Sequence, residues 1–345
     1  MKTSTLLRIV FVIAYALLAS VFDGFAVEVL AADSAPATAL VVHGGAGTIV
    51  KGQMTPELEG QYRAKLNEGL LAGQAILHSG GSSLDSVVAV LKILEDSPLF
   101  NAGKGAVFTA DGRHEMDAAI MDGATGKAGA VAFVTRVKNP ITAARAVMDH
   151  TEHVMLAGSG ADTFAVSQGL ELAAPEYFYT ERRWNQLQKA REKENAEKTG
   201  DSAKGSQQVY LGTVGALALD QQGRLAAATS TGGMTNKRFG RIGDTPIIGA
   251  GTWADRHCAV SATGHGEYFI RFAVASDICA RARYLDVSVE EAATTVIHEV
   301  LPAAGGTGGV ITLDDQGQMS MPFNTEGMYR GFVLADGDPT IEIYK

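Results

Sequence analysis

Cysteine is nearly absent. Cys258 and Cys279 are the only two in 345 residues, which excludes a disulfide framework and a zinc quartet. Both are expected to be small hydrophobic residues inside the core. Positive charge is also scarce: 29 Lys and Arg stand against 38 Asp and Glu, for a formal net charge of −9. No basic block with interleaved aromatics occurs, so nucleic acid is not an expected partner. A GxxxxGK[ST] phosphate loop is missing. Gly45-Ala46-Gly47 and Gly158-Ser159-Gly160 lack the third glycine of a dinucleotide fingerprint. His150 and His153 have no convincing further ligands nearby and read as solvent-facing. The only long apolar run lies between residues 9 and 22, short of the ~20 residues that span a bilayer.

What is present begins with that run. Lys2 and Arg8 precede it, and small residues follow, which is the pattern of a secretory signal. Cleavage is expected after Ala31, with Gly24-Phe25-Ala26 as a second candidate site. An uncleaved membrane anchor is the alternative. Either way export is expected, to the periplasm or outside the cell, with no stable membrane association of the mature protein. Glycine is abundant: 40 residues, clustered without a fixed period. That excludes collagen and points to tight turns or close backbone approach.

Residues 39–42 read as a buried strand stopped by His43-Gly44-Gly45. Leu58, Tyr62, Leu66 and Leu70 recur at helical spacing after Pro56. A second helix face runs from Leu84 to Leu94 and ends before Pro98. Strands are expected at 106–109, 118–121 and 130–137, and helices from Pro140 and near Ala161. Between 185 and 208 the only large aliphatic residue is Leu187. This stretch is either a mobile linker, taken as 185–212, or a solvated helix at 183–198. Beyond it lie a hairpin at 214–220 and 225–230, strands at 246–249 and 258–261, helices at 267–284 and 289–301, and a hairpin at 309–313 and 319–322. Paired strands and helices, without strict alternation, predict layered sheets with helices outside rather than a doubly wound parallel sheet.

The chemistry centres on Gly212-Thr213, at the junction of the polar stretch and a strand. Taken alone the pair is an ordinary strand start. If the Gly212–Thr213 bond breaks, Thr213 gains an α-amine with a pKa of about 7.7–8.0. Such an amine takes the proton of its own hydroxyl and so activates it. Glycine at 212 leaves room for the distorted peptide that attack by Thr213 requires. Hairpin geometry brings 229–233 back beside Thr213. Arg241 and Asp244 suit a carboxylate and an ammonium, respectively; a surface ion pair is the alternative. Thr263-Gly264-His265-Gly266 offers donors for an oxyanion, or merely starts a helix.

Several motifs, taken in order, resemble the plant-type asparaginase/isoaspartyl peptidases. They are Gly212-Thr213-Val214-Gly215-Ala216, Ala228-Thr229-Ser230-Thr231-Gly232-Gly233, Gly240-Arg241-Ile242-Gly243-Asp244-Thr245-Pro246 and Thr263-Gly264-His265-Gly266-Glu267. Val42-His43-Gly44-Gly45-Ala46-Gly47, LEDSPLFNAGKGAVF from Leu94 and EMDAAIMDG from Glu115 extend the likeness to about residues 40–335. The resemblance implies an αββα N-terminal-nucleophile hydrolase of the α+β class, with an α subunit 32–212, a β subunit 213–345 and one domain formed by both. It implies Thr213 as nucleophile, Thr231 as its hydroxyl partner, and Thr263 and Gly264 as oxyanion hole. Arg241 would bind the substrate carboxylate, and Asp244 and Gly266 its amine. No organic cofactor is expected. A structural sodium held by carbonyls of Leu94, Glu95, Ser97, Phe100, Ala102 and Lys104 is implied, as is a dimer of αβ heterodimers. Lys104 and the export signal depart from the common pattern. The rival readings are a glycosylasparaginase, a threonine-type endoprotease, and a non-catalytic amino-acid-binding protein of the periplasm.

Overall fold

The computed structural model describes residues 38–47, 49–199 and 212–345. The leader and the end of the polar stretch lie outside the described residues, as do the sequence expectations that fall on them. Two sheets organise the fold. The larger has eight strands. Six of these are β1 (Ala39–Gly47), β2 (Met116–Asp122), β3 (Ala128–Val134), β4 (Met155–Ala157), β5 (Val214–Leu219) and β6 (Leu225–Thr231). The other two are β11 (Gly327–Leu334) and β12 (Thr340–Tyr344). The order across this sheet is β12-β11-β1-β5-β6-β2-β3-β4. The smaller sheet has β7 (Thr252–Ala254), β8 (Cys258–Gly264), β9 (Gly308–Asp314) and β10 (Met319–Ser320), in the order β10-β9-β8-β7. The chain is therefore mixed α/β, with sheets and helices.

Strand periodicity decides what each side chain meets. Along β1, Leu40 and Val42 join a core with Leu66 and Leu70 of α1 (Pro56–His78) and with Val87, Val90 and Leu91 of α2 (Ser83–Glu95). Ala39 and Val41 instead join Leu217, Leu219, Leu225 and Ala227 of the same sheet and Ala259, Ile311 and Leu313 of the other. On β8, Val260 and Ala262 turn away from that cluster and pack with helical residues such as Ile278, Ala293 and Ile297. On β5 and β6, the even-numbered Val214, Ala216, Ala226 and Ala228 face α1 and α2. The odd-numbered positions 213, 229 and 231 therefore face the space between the sheets.

Helices α1 and α2 form as their spacing predicts. Thr55 caps the first by accepting from Leu58 N, and Ser82 caps the second by accepting from Asp85 N. The remaining α-helices are α3 (Pro140–His150), α4 (Gly158–Ser167), α5 (Pro175–Phe178), α6 (Glu181–Thr199), α7 (Gly266–Arg271), α8 (Val274–Leu285), α9 (Val289–Thr295) and α10 (Leu301–Ala303), the last two joined by a π-helical segment (Val296–Val300); Gly103–Gly105 form a 3-10 turn. No helix among the described residues is long and apolar enough to cross a membrane.

The structure corrects several expectations. β1 does not stop at His43. It continues through a bulge between His43 and Gly45, where Gly45 takes φ +109°, a conformation that favours glycine. Residues 106–109 are buried but form no strand, because their backbone is taken up elsewhere: Val107 N by the Asn101 side chain, and Phe108 O by Asn236 N. Residues 246–249 turn instead of extending. The helix expected at 267–284 is two helices, separated at Ala273, which has φ +48°. The polar stretch forms helix α6 as far as Thr199, so the solvated-helix alternative describes that part. β11 and β12 were not anticipated.

The largest correction concerns the cysteines. They are not separate hydrophobic residues: Cys258 on β8 and Cys279 on α8 form a disulfide, with Cα atoms 5.6 Å apart. Their 21-residue separation gave no sign that β8 and α8 pack together. Both half-cystines are buried, and the closed loop contains residues 263–267. Reduction, or replacement of both by Ala, is expected to lower the unfolding free energy by about 3 kcal/mol. Denaturant titration with and without reductant measures this, and coincident curves would show that the bridge contributes nothing.

Candidate functional site

Thr213 directly precedes β5, in the middle of the large sheet. The register pairs Val214 with Ser230, so Thr213 comes opposite Thr231. Thr213 Oγ1 donates to Thr231 Oγ1 at 3.2 Å, and Thr231 Oγ1 also accepts from Gly233 N at 3.0 Å. Gly212 lies against the bulge of β1. A Cβ built on Gly212 would lie 2.2 Å from Gly45 Cα, and one built on Gly45 would lie 2.1 Å from Gly212 Cα. Neither position has room for a side chain.

Beneath Thr213 runs a buried polar chain that sequence reasoning missed. His43 Nδ1 contacts the Thr213 carbonyl oxygen at 3.1 Å, and His43 Nε2 contacts Ser261 Oγ at 2.9 Å. Burial pushes the imidazole pKa down to about 3, so the ring is neutral. A carbonyl oxygen can only accept; hence Nδ1 carries the proton and Nε2 accepts from Ser261. Ser261 then accepts from Thr229 at 2.7 Å, and Thr229 accepts from Thr252 at 2.7 Å. The donor sense therefore runs from Thr252 through Thr229, Ser261 and His43 to the Thr213 carbonyl. Chains with one sense reinforce each other electrostatically. Strand parity placed Thr229 between the sheets, but only the packing of β8 on β5 and β6 brings Ser261 to it.

Arg241 and Asp244 lie in the same cavity of about 580 Å³, which Thr213, Thr231, Thr263 and Gly264 also help to line. Arg241 is not free, nor is it a simple pair with Asp244. Its Nε and one terminal nitrogen donate to Glu267 Oε1 and Oε2, both at 2.9 Å. Glu267 thus fixes one edge of the guanidinium and leaves the other edge for a ligand. Asp244 is buried, and among the described residues its Oδ2 has no hydrogen-bond partner. Desolvation raises its pKa to about 7, against the pull of Arg241. An unpartnered buried carboxyl aimed at a cavity suits a cationic guest. Gly266 passes beside both: a Cβ there would lie 2.8 Å from an Arg241 nitrogen and from Asp244 Oδ1.

Thr263 Oγ1 accepts from Ala46 N at 3.2 Å, which ties β8 to the end of β1. Gly264 crosses β9 at Gly308, where a Cβ would lie 2.5 Å from Thr307 O. His265 and Glu267 form a further pair at 3.1 Å. The segment bearing Arg241 is anchored by Lys237, which is buried and donates to Glu115 O at 2.8 Å, near the buried Asp117. Asn101 bridges to this segment by donating to Gly233 O at 2.7 Å. His150 and His153 are exposed, as expected.

The loop after α2 carries Asn101, which lines the same cavity. Among the described residues, the carbonyl oxygens of Ser97, Phe100 and Lys104 accept no hydrogen bond. Cβ atoms built on Gly103 and Gly105 would lie 2.4 Å from Glu95 O and 2.0 Å from Phe100 O. The two glycines thus leave a cradle of carbonyl oxygens, a donor set that fits a hard cation. The Lys104 ammonium stands 5.2 Å over the Tyr177 ring. The Glu95 side chain turns inward, accepting from Ser230 Oγ at 2.6 Å and Ile141 N at 3.0 Å.

With this geometry in place, the comparisons with known proteins are direct. The model of the asparaginase family matches residues 36–343. An isoaspartyl peptidase of Escherichia coli (strain K12) is 49% identical over 307 residues, covering 89% of this chain and 96% of that protein. A plant-type L-asparaginase of Pyrococcus abyssi is 44% identical over 304 residues, covering 86% and 96%. An isoaspartyl peptidase/L-asparaginase of Xenopus laevis is 42% identical over 290 residues, covering 84% and 90%. The chain belongs to the asparaginase family.

The buried carboxyls set a pH dependence of stability. Burial raises Glu95 to about 8 from 4.5 and Asp244 to about 7 from 3.8. Each is protonated in the fold at pH values where the unfolded chain has lost the proton. Their contribution is complete below about pH 4 and is lost as pH rises toward 7 and 8. The Thr213→Ala chain is expected to lose stability between pH 7 and 9, about 1 kcal/mol of it through Glu95. Glu95→Gln should flatten that fall. Parallel pH profiles for the two chains would show that Glu95 ionises normally.

Proposed function

We propose that the chain is a precursor that cuts itself between Gly212 and Thr213 and then hydrolyses β-aspartyl dipeptides and the side-chain amide of L-asparagine, releasing L-aspartate. The hydrolase activity is that of the family and of the relatives named above. One observation carries the self-cleaving reading. The Thr213 hydroxyl, next to a glycine that cannot bear a side chain, points into the cavity that also holds Arg241 and Asp244. In the precursor that hydroxyl attacks the Gly212 carbonyl carbon. The peptide bond is exchanged for an ester, which water then hydrolyses. The freed α-amine of Thr213 becomes the base for its own hydroxyl, and Thr231 holds that hydroxyl in place.

The free edge of Arg241 binds the substrate α-carboxylate. Asp244 binds the α-ammonium, whose charge draws its carboxyl to the ionised form. Gly266 lies close enough to contact that amine. Thr263 and Gly264 stabilise the oxyanion formed when Thr213 attacks the side-chain carbonyl. Carbonyls of Leu94, Glu95, Ser97, Phe100, Ala102 and Lys104 would hold a structural sodium, supplying fixed charge to the loop that carries Asn101. The three separate hydrophobic cores support a four-layer αββα sandwich of the N-terminal-nucleophile type. Residues 32–212 and 213–345 then form the α and β subunits of one domain, and two such pairs form the dimer. The disulfide accords with export past an N-terminal signal at 1–31, into the periplasm or the medium.

The test uses β-aspartyl-leucine, asparagine and α-aspartyl-leucine on the matured protein. The first two should be cleaved. The third should not be, because its α-carboxyl is already an amide and leaves Arg241 unpaired. Thr213→Ala should remain a single chain on a denaturing gel. Comparable cleavage of the α-linked peptide, or splitting of the Ala variant at the same bond, would overturn the reading.

A further inference from the structure

Thr213, Arg241 and Asp244 line one cavity. Whatever leaves on the far side of the scissile carbonyl must occupy the rest of the space. Helix α6 contributes to the wall of this cavity, through Gln186, Lys189, Ala190 and Lys193. This helix is firmly anchored. Arg183 is fully buried and donates to Gly105 O at 2.7 Å. Leu187 is fully buried. Arg191 donates to Ala110 O at 2.7 Å. Glu194 accepts from Asn236 at 3.1 Å and from Arg238 at 2.6 Å. Not one of these contacts uses the chain between 200 and 212, so they persist when the bond before Thr213 breaks.

The charges on this wall are not equivalent. Glu194 is held by Arg238. The Lys193 ammonium lies 3.8 Å from Glu197. Lys189 is exposed, and no carboxylate among the described residues lies within ion-pair distance of it. Resting on the isoaspartyl reading, we propose that Lys189 receives the free carboxylate of the leaving residue of a β-aspartyl dipeptide. It is then a specificity residue for dipeptides. Asparagine, whose leaving group is ammonia, has nothing to offer it. The interaction is partly solvated, so it acts chiefly on KM and weakens with salt.

The test compares β-aspartyl-leucine, β-aspartyl-leucinamide and asparagine on matured wild type, Lys189→Ala and Lys189→Glu. Wild type should favour the acid over the amide in KM by about threefold to tenfold, and about 0.5 M NaCl should erase the preference. Lys189→Ala should raise KM for the acid alone, to the value of the amide, and Lys189→Glu should raise it further. Asparagine kinetics should not change. Intact mass should show that the mature α chain extends past Lys189. An acid-to-amide ratio unchanged in Lys189→Ala, or an α chain ending before Lys189, would overturn the proposal while leaving the isoaspartyl reading intact. Failure of wild type to cleave any of the three would overturn both.

Discussion

Gly212 rests against Gly45 so closely that a β-carbon on either would overlap the other's backbone. The rest of the site depends on that contact. It requires the bulge that lets β1 run past His43, and the positive φ that Gly45 adopts there. It brings the end of the polar stretch against the centre of the large sheet and aims the next residue, Thr213, into the cavity. Once there, Thr213 is held from two sides: its hydroxyl by Thr231 and its carbonyl by His43. The imidazole is in turn oriented by three hydroxyls in series. A neutral ring is essential to this arrangement, because a protonated one would have no acceptor to offer Ser261. Burial supplies that neutrality without any charged partner.

The electrostatics at the far end of the site follow the opposite strategy. Arg241 keeps its charge in a half-buried position because Glu267 satisfies one edge of the guanidinium. Asp244 has no such partner among the described residues, and burial raises its pKa to about 7. An ammonium beside it would draw the carboxyl to its ionised form and offset the cost of burial. The glycines at 243 and 266 keep this space open, since a β-carbon at either would press on the Arg241 guanidinium.

The sequence made the local parts of this account legible. Helical spacing located α1 and α2, with Pro56 marking the start of the first and Pro98 the end of the second. The hairpin formed by β5 and β6 followed from two apolar runs around Gln221-Gln222-Gly223, and with it the meeting of Thr213 and Thr231. Contacts between distant segments were not legible. His43, Ser261, Thr229 and Thr252 lie on four strands in two sheets, and nothing in their spacing signals that they align. Cys258 and Cys279 were misjudged for the same reason, since pairing depends on how β8 packs against α8. Residues 106–109 looked like a strand because they are apolar, yet a side-chain amide and a loop take their backbone bonds. Glu267 stood within a quoted motif without a role until the structure placed it on Arg241. Family likeness singled out Arg241 and Asp244, but how they are held depends on contacts between distant segments.

In the proposed function the Thr213 hydroxyl is the covalent nucleophile. The direct test is to quench the matured protein in acid during turnover of a β-aspartyl substrate, digest it and map any bound aspartyl unit by mass spectrometry. The account predicts one aspartyl unit, esterified to the peptide that begins with Thr213. An aspartyl unit on any other residue would contradict it.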